Sequence, residues 1–166
     1  HLTEILEEFL SVGKLEDGKL EIHPTEFSIQ GFIQDILTDF TTYTQPIRLE
    51  LAEDFTCFQD ASILRKVIFN GLSNALKFSQ KEVVLRVLRR DEVVELCIVD
   101  QGIGISEEDQ KHLFERFFRG SNATVIPGTG LGLHLIDQYV KLLKGSLEII
   151  SETDKGTELI IRLNRI

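Results

Sequence analysis

Asn70, Asn74 and Lys77 are spaced i, i+4 and i+7, which puts two carboxamides and an ammonium on one stripe if the segment is helical. Carboxamide oxygens suit a hard cation and a lysine amine suits a phosphate, so the stripe can cradle a magnesium-bound nucleotide. A solvated helix face carries the same residues, and the stripe alone does not separate the two. Downstream, Asp100-Gln-Gly102-Ile-Gly104 sets a carboxylate at the end of a β-branched run, followed by glycines that let a flat ligand approach the backbone. That carboxylate can accept a hydrogen bond from an adenine amino group, or it can close a glycine turn. Gly128-Thr-Gly130-Leu-Gly132 precedes a helical pattern, where free amides and the positive helix end meet phosphate oxygens. The segment lacks the Gly-Lys-Ser/Thr of a Walker loop. Leu133 stands where dinucleotide and protein-kinase loops need a third glycine, and no predicted strand leads into it.

Periodicity predicts the elements that must position these residues. Leu2, Ile5, Leu6 and Phe9 keep the spacing of one helix face. A polar stretch, 14–19, then precedes Leu20 to Ile22 and Pro24, which predict a short strand. Ser28 caps a predicted helix running to about Tyr43, with Phe32, Ile33, Ile36, Leu37 and Phe40 in period. Short extended runs follow at 48–51 and 56–58. Asp60 or Ser62 opens a helix to about Phe78 that buries Ile63, Val67, Ile68, Gly71, Leu72 and Ala75 opposite the Asn70 stripe. Residues 82–89 and 93–100 predict a hairpin.

A short helix is expected at 107–114, then a polar segment at 120–128 that should be mobile. A helix over 131–143 should stop at a left-handed Gly145. Strands at 147–151 and 157–163 should pair antiparallel around 154–156. Helices grouped among paired strands, with no regular βαβ rhythm, argue for an α+β two-layer sandwich with a largely antiparallel sheet.

Composition excludes some functions. The 166 residues hold 18 basic and 27 acidic side chains, a net charge of -9, which argues against a nucleic-acid binder, since such proteins need a basic face. Cys57 and Cys97, with no signal peptide and no apolar run of spanning length, point to inert thiols in a reducing, cytosolic setting.

Taken in order, the motifs resemble the histidine-kinase branch of the ATPase superfamily shared with DNA gyrase, the heat-shock chaperone ATPase and the mismatch-repair protein MutL. Asn70-Gly-Leu-Ser-Asn74-Ala-Leu-Lys77-Phe78-Ser matches the family's N box, and Asp100-Gln-Gly102-Ile-Gly104 its first glycine box. Leu113-Phe114-Glu-Arg-Phe117-Phe118-Arg119 matches the F box, Gly128-Thr129-Gly130-Leu131-Gly132 the second glycine box, and Gly156-Thr157 the closing one. The resemblance covers essentially the whole chain and implies a Bergerat-type sandwich with its helices on one face of the sheet.

It also implies ATP and Mg2+ as cofactors. Asn74 would coordinate the metal with Asn70 assisting, Lys77 would contact phosphate, and Phe78 would stack on adenine where the family often has tyrosine. Asp100 would bind the adenine amino group, with Gly102 and Gly104 shaping the base pocket. Phe114 and Phe117 would anchor a lid over about 104–128, and Arg119 would reach the γ-phosphate. Thr129, Leu131 and Thr157 complete the nucleotide-contacting set with Gly128, Gly130 and Gly132. The superfamily's hydrolysing branches carry a glutamate four residues before the metal-binding asparagine; here that place is Asn70, which favours phosphotransfer over hydrolysis.

The family's phosphoacceptor histidine is followed by Glu or Asp on a helix. His1, His23, His112 and His134 are followed by Leu, Pro, Leu and Leu, so none fits. The expectation is therefore a truncated chain: residues 1–19 end a dimerisation and phosphoacceptor helix with its linker, and 20–166 form the ATP-binding domain. The resemblance implies a protein-histidine kinase within a homodimer, acting on its own dimerisation domain and, through it, on a response-regulator receiver domain. The parent would be cytoplasmic or anchored in a membrane. A serine-directed anti-sigma-type kinase and a silent nucleotide-binding interaction module are the alternatives.

Overall fold

The structure is a computed structural model that describes residues 2–164; His1 lies outside the described residues. The first helix, α1 (Leu2–Glu16), runs further than the apolar spacing predicts. Its apolar stripe faces solvent, with Leu2 81% and Leu6 58% exposed, and Val12 is the buried residue of the helix.

The strand expected at 20–22 does not form. Leu20 and Ile22 pack against the core, and the strand begins after Pro24, as β1 (Thr25–Ser28). Proline has no amide to offer a ladder, so pairing starts beyond it. Ser28 caps α2 (Ile29–Thr38) by accepting from Gly31 N. That helix stops short of Tyr43: the Thr38 hydroxyl donates to Asp35 O at 2.6 Å, competing with the backbone for that carbonyl. Phe40, just beyond, still buries its ring against Phe69 and Tyr43.

Next come β2 (Ile47–Leu51), β3 (Thr56–Gln59) and α3 (Ala61–Phe78). Of the two caps considered for α3, Asp60 is the one used: its Oδ1 accepts from Ile63 N at 2.9 Å. The predicted hairpin is β4 (Val83–Arg90) and β5 (Val93–Asp100), turned at Asp91 with φ 52. α4 is a single turn (Glu107–Gln110) where a longer helix was expected. α5 (Gly132–Leu142), β6 (Ser146–Glu152) and β7 (Gly156–Asn164) complete the chain.

The main sheet has the order β2-β4-β5-β7-β6, antiparallel except for the β2–β4 pair, and β1 pairs with β3 in a small second sheet. This is the two-layer α+β sandwich that the pattern predicts. α2, α3 and α5 bury Ile33, Ile36, Leu64, Ile68, Leu72 and Ile136 against Leu85, Leu96, Ile98 and Ile161 of the sheet. Each such side chain contributes about 1.5–3 kcal/mol by leaving water. The other face is a lattice of charges, Glu50–Arg86 and Glu95–Arg162–Glu148, opposite the face on which α2, α3 and α5 pack.

The left-handed residue after α5 is Lys144, with φ 56, rather than Gly145. Gly145 is required by space: a Cβ there would lie 2.6 Å from Arg162 O and 2.5 Å from Leu163 Cδ2. Gly145→Ala should therefore prise β7 from the helix end and lower stability by about 1–3 kcal/mol. A thermal melt within a degree of the wild type would contradict this.

Candidate nucleotide site

α3 meets the end of β5 at the site. The α3 stripe carries Asn74 and Lys77 to the cleft, with buried Gly71 and Ala75 forming its wall beside them, while Ile68 and Leu72 pack into the core. That division is what an amphipathic helix imposes. β5 delivers Asp100 beside Thr157, its partner in the β5–β7 register. Asp100 Oδ1 accepts from Gly102 N at 2.8 Å. Burial pushes the Asp100 carboxyl above the usual carboxylate range, and the Gly102 and Thr157 amides pull it part of the way back.

The glycines here are set by space. A Cβ at Gly102 would sit 2.2 Å from Phe78 O, and one at Gly104, where φ is +65, would sit 2.0 Å from Glu152 O. Backbone contacts of this kind cannot give way as a side chain can.

Asn74, Lys77, Phe78, Asp100, Gly104, Arg119, Gly128, Thr129, Gly130, Gly132 and Thr157 all line one cleft of about 1110 Å³ including its open mouth. Its apolar walls come from Ile98, Ile149 and Leu159 of the sheet and from Ile103, Ile105, Leu113 and Phe118. Alternation along β5 and β7 could have put Ile98 and Leu159 on this list from sequence. The Lys77 amine lies over Gly128, 2.7 Å from where a Cβ would be. Loss of water lowers its pKa; Glu8 and Glu4 oppose that shift and Arg119 adds to it.

Asn74 lies against the glycine segment, its amide 3.2–3.3 Å from a Cβ built on Gly132. Among the described residues no group of three or more His, Cys, Asp or Glu could hold a metal ion. A cation here would rely on the Asn74 amide oxygen and on ligand phosphates, a donor set suited to Mg2+, which keeps few protein ligands.

Five residues expected at the site do not line the cleft: Asn70, Gly102, Phe114, Phe117 and Leu131. Asn70 is one helical turn before Asn74, and Gly102 stands behind Asp100. Leu131 is a core residue, 1% exposed. Phe114 and Phe117 instead make backbone hydrogen bonds to α5 and to the glycine segment. Phe114 O accepts from the His134 ring at 2.9 Å, and Phe117 N donates to Gly130 O at 3.1 Å. The Phe117 ring, on a residue with φ 62, packs against Phe9.

Arg119 lines the cleft, but its guanidinium donates to the lid carbonyls of Ala123 and Ile126. Asn122 Nδ2 donates to Ile103 O and Gly104 O, stitching the lid to the loop after Asp100. Sequence reasoning missed Asn122, and it missed Glu8, which reaches the cleft from α1. Of the described histidines, His112 pairs with Glu115 and His134 supports Phe114.

A two-layer sandwich whose helix stripe, carboxylate turn and glycine segment close on one cleft is a nucleotide-binding domain of the α+β class. A family profile described as "Histidine kinase-, DNA gyrase B-, and HSP90-like ATPase" matches residues 59–165, and the chain belongs to that family.

Over 176 residues it is 31% identical to the autoinducer 2 sensor kinase/phosphatase LuxQ of Vibrio cholerae, covering 98% of this chain and 20% of LuxQ. It is 30% identical to the sensor protein GacS of Pseudomonas syringae over 98% of this chain and 20% of that one. The chain thus spans about a fifth of the length of these curated relatives. Among solved structures, the Acinetobacter baumannii histidine kinase AdeS superposes with a TM-score of 0.81 at 21% identity, over 99% of this chain and 78% of that one. The mycobacterial sensor histidine kinase MprB does so with 0.73 at 28% identity, over 86% and 97%.

Proposed function

We propose that this chain is the catalytic ATP-binding domain of a sensor histidine kinase, which binds Mg-ATP and presents its γ-phosphate to a histidine on a dimerisation domain. The observation that carries the reading is the convergence of Asp100, Asn74, Lys77 and the glycine segment on one cleft. The names of relatives, among them a sensor kinase/phosphatase and a sensor histidine kinase, support the choice within the family. The solvent-facing apolar stripe of α1 supports residues 1–19 as the end of a dimerisation helix, and a homodimeric parent. A response-regulator receiver domain would be the next acceptor. Among the described residues no helix is long and apolar enough to cross a membrane; a cytoplasmic setting is part of the proposal.

In this reading Asp100 accepts from the adenine amino group, and Ile98, Ile149 and Leu159 exclude water around the base. Phe78 offers its ring to the base, Lys77 neutralises phosphate charge, and the amides of 128–132 fix the phosphates at the start of α5. Asn74 would hold Mg2+, and the ion would supply positive charge for the phosphate oxygens. The bond from the γ-phosphorus to its bridging oxygen breaks, a bond to the acceptor imidazole nitrogen forms, and ADP departs. Asn70 holds the position where a water-activating glutamate would serve hydrolysis, and an amide cannot act as that base.

The test is transfer of γ-labelled phosphate to a separately supplied phosphoacceptor helix pair. Acid-labile, alkali-stable label is expected, with very slow phosphate release by the domain alone. Acid-stable phosphoserine, or turnover comparable with a dedicated ATPase, would overturn the reading.

A further inference from the structure

α1 is fastened at three places along its length, to the glycine segment and to the residues before it. Thr129 Oγ1 donates to Glu8 Oε2 at 2.5 Å, the Phe9 and Phe117 rings pack at 5.7 Å, tilted by 41°, and Glu16 pairs with Arg116. Of these α1 residues Glu8 is the one that enters the cleft. Its charge acts on Lys77, and Thr129 holds it against the glycine segment. The same Thr129 hydroxyl accepts from Leu131 N at 3.2 Å, so the carboxylate is coupled to the backbone that opens α5. A helix start and a lysine make a site for anions, and a carboxylate placed among them takes up part of their field before any ligand arrives.

Asp100, Lys77 and Gly128 line the same cleft, so a nucleotide with its base on Asp100 would carry its phosphates toward Lys77 and Gly128. A triphosphate brings more negative charge to that end than a diphosphate does. Resting on the nucleotide reading above, we propose that Glu8 is a specificity-determining residue: with α1 docked on the lid, its carboxylate weakens binding of the nucleoside triphosphate more than that of the diphosphate. The linker helix thereby tilts the domain toward the product state, and lifting α1 from Thr129 removes the bias.

Glu8→Gln isolates the charge, since the amide oxygen still accepts from Thr129. Glu7→Gln, on the exposed side of the same helix, is the control for net charge. Calorimetric titration of each protein with Mg2+ plus the imido analogue of ATP, and with Mg2+ plus ADP, gives the four affinities required.

Glu8→Gln should tighten the triphosphate analogue about threefold to tenfold and ADP less than about twofold. Glu7→Gln should change neither. Equal tightening of both nucleotides, no tightening, or weaker triphosphate binding in Glu8→Gln would each overturn the proposal. Failure of the wild type to bind either nucleotide would overturn the nucleotide reading itself, and this inference with it.

Discussion

Replacing Asp100 with Asn should weaken ATP binding about 100-fold, because it removes an acceptor from a half-buried turn and puts a donor where an adenine amino group must donate. A hydrogen bond to a charged group is worth about 1.5–3 kcal/mol, and about 2.7 kcal/mol is a factor of 100. Asp100 already accepts from Gly102 and lies beside Thr157, so the carboxylate is aimed before a ligand arrives. The pH dependence has a definite sign. Burial raises the Asp100 pKa, and the ionised form is the acceptor, so affinity is full above that raised pKa and falls as pH drops through it. The loss begins at a higher pH than an ordinary carboxylate would give. In the ligand-free domain the trend reverses: the raised pKa contributes stability below the unfolded value, and that contribution is lost as pH rises through the folded one. Calorimetric titration of ATP from pH 8 downward reads the first effect. Unchanged affinity in Asp100→Asn would remove Asp100 from the adenine site.

Asn74→Ala should reduce phosphoryl transfer to a supplied acceptor about 100- to 1,000-fold, the range lost when one preorganised electrostatic group is deleted from an active site. The argument is positional. Asn74 lines the cleft against Gly132, and the described residues offer no carboxylate and histidine cluster to hold a cation in its place. Transfer should also lose most of its dependence on Mg2+ concentration, while ATP affinity falls less than the rate. Wild-type rates in Asn74→Ala at saturating Mg2+ would show that the cation is held elsewhere.

Those two side chains were legible in the sequence because each sits in a short motif whose spacing is itself the geometry. Asn74 and Lys77 are three residues apart on a helix that Asp60 caps and that Leu72 and Ile68 orient. Asp100 ends a β-branched apolar run that reads as a strand. The core followed for the same reason, since α2, α3 and α5 announce their buried faces by period. Contacts made by distant segments were not legible. Glu8 touches Thr129 across 121 positions and Asn122 reaches Ile103 across 19, and no local pattern encodes either. Apolar spacing misleads where chain geometry overrides it, as at Leu20 to Ile22, which pack beneath the fold without pairing. Residue type misleads at Lys144, where a lysine takes the left-handed turn and the adjacent glycine serves only to clear space.

The strand order carries a consequence for synthesis. β7 is last in sequence yet interior in the sheet, between β5 and β6. On the ribosome the β4–β5 hairpin therefore emerges with one edge of β5 unpaired, and it stays so until residues 156–164 arrive. Asp100 lies at the end of that waiting edge and takes the Thr157 amide only when β7 docks. The outer-face pairing of Glu95 and Glu148 with Arg162 also waits for β7, which carries that arginine. Once the final strand zips in, closing the sheet and completing the adenine end of the site become a single event.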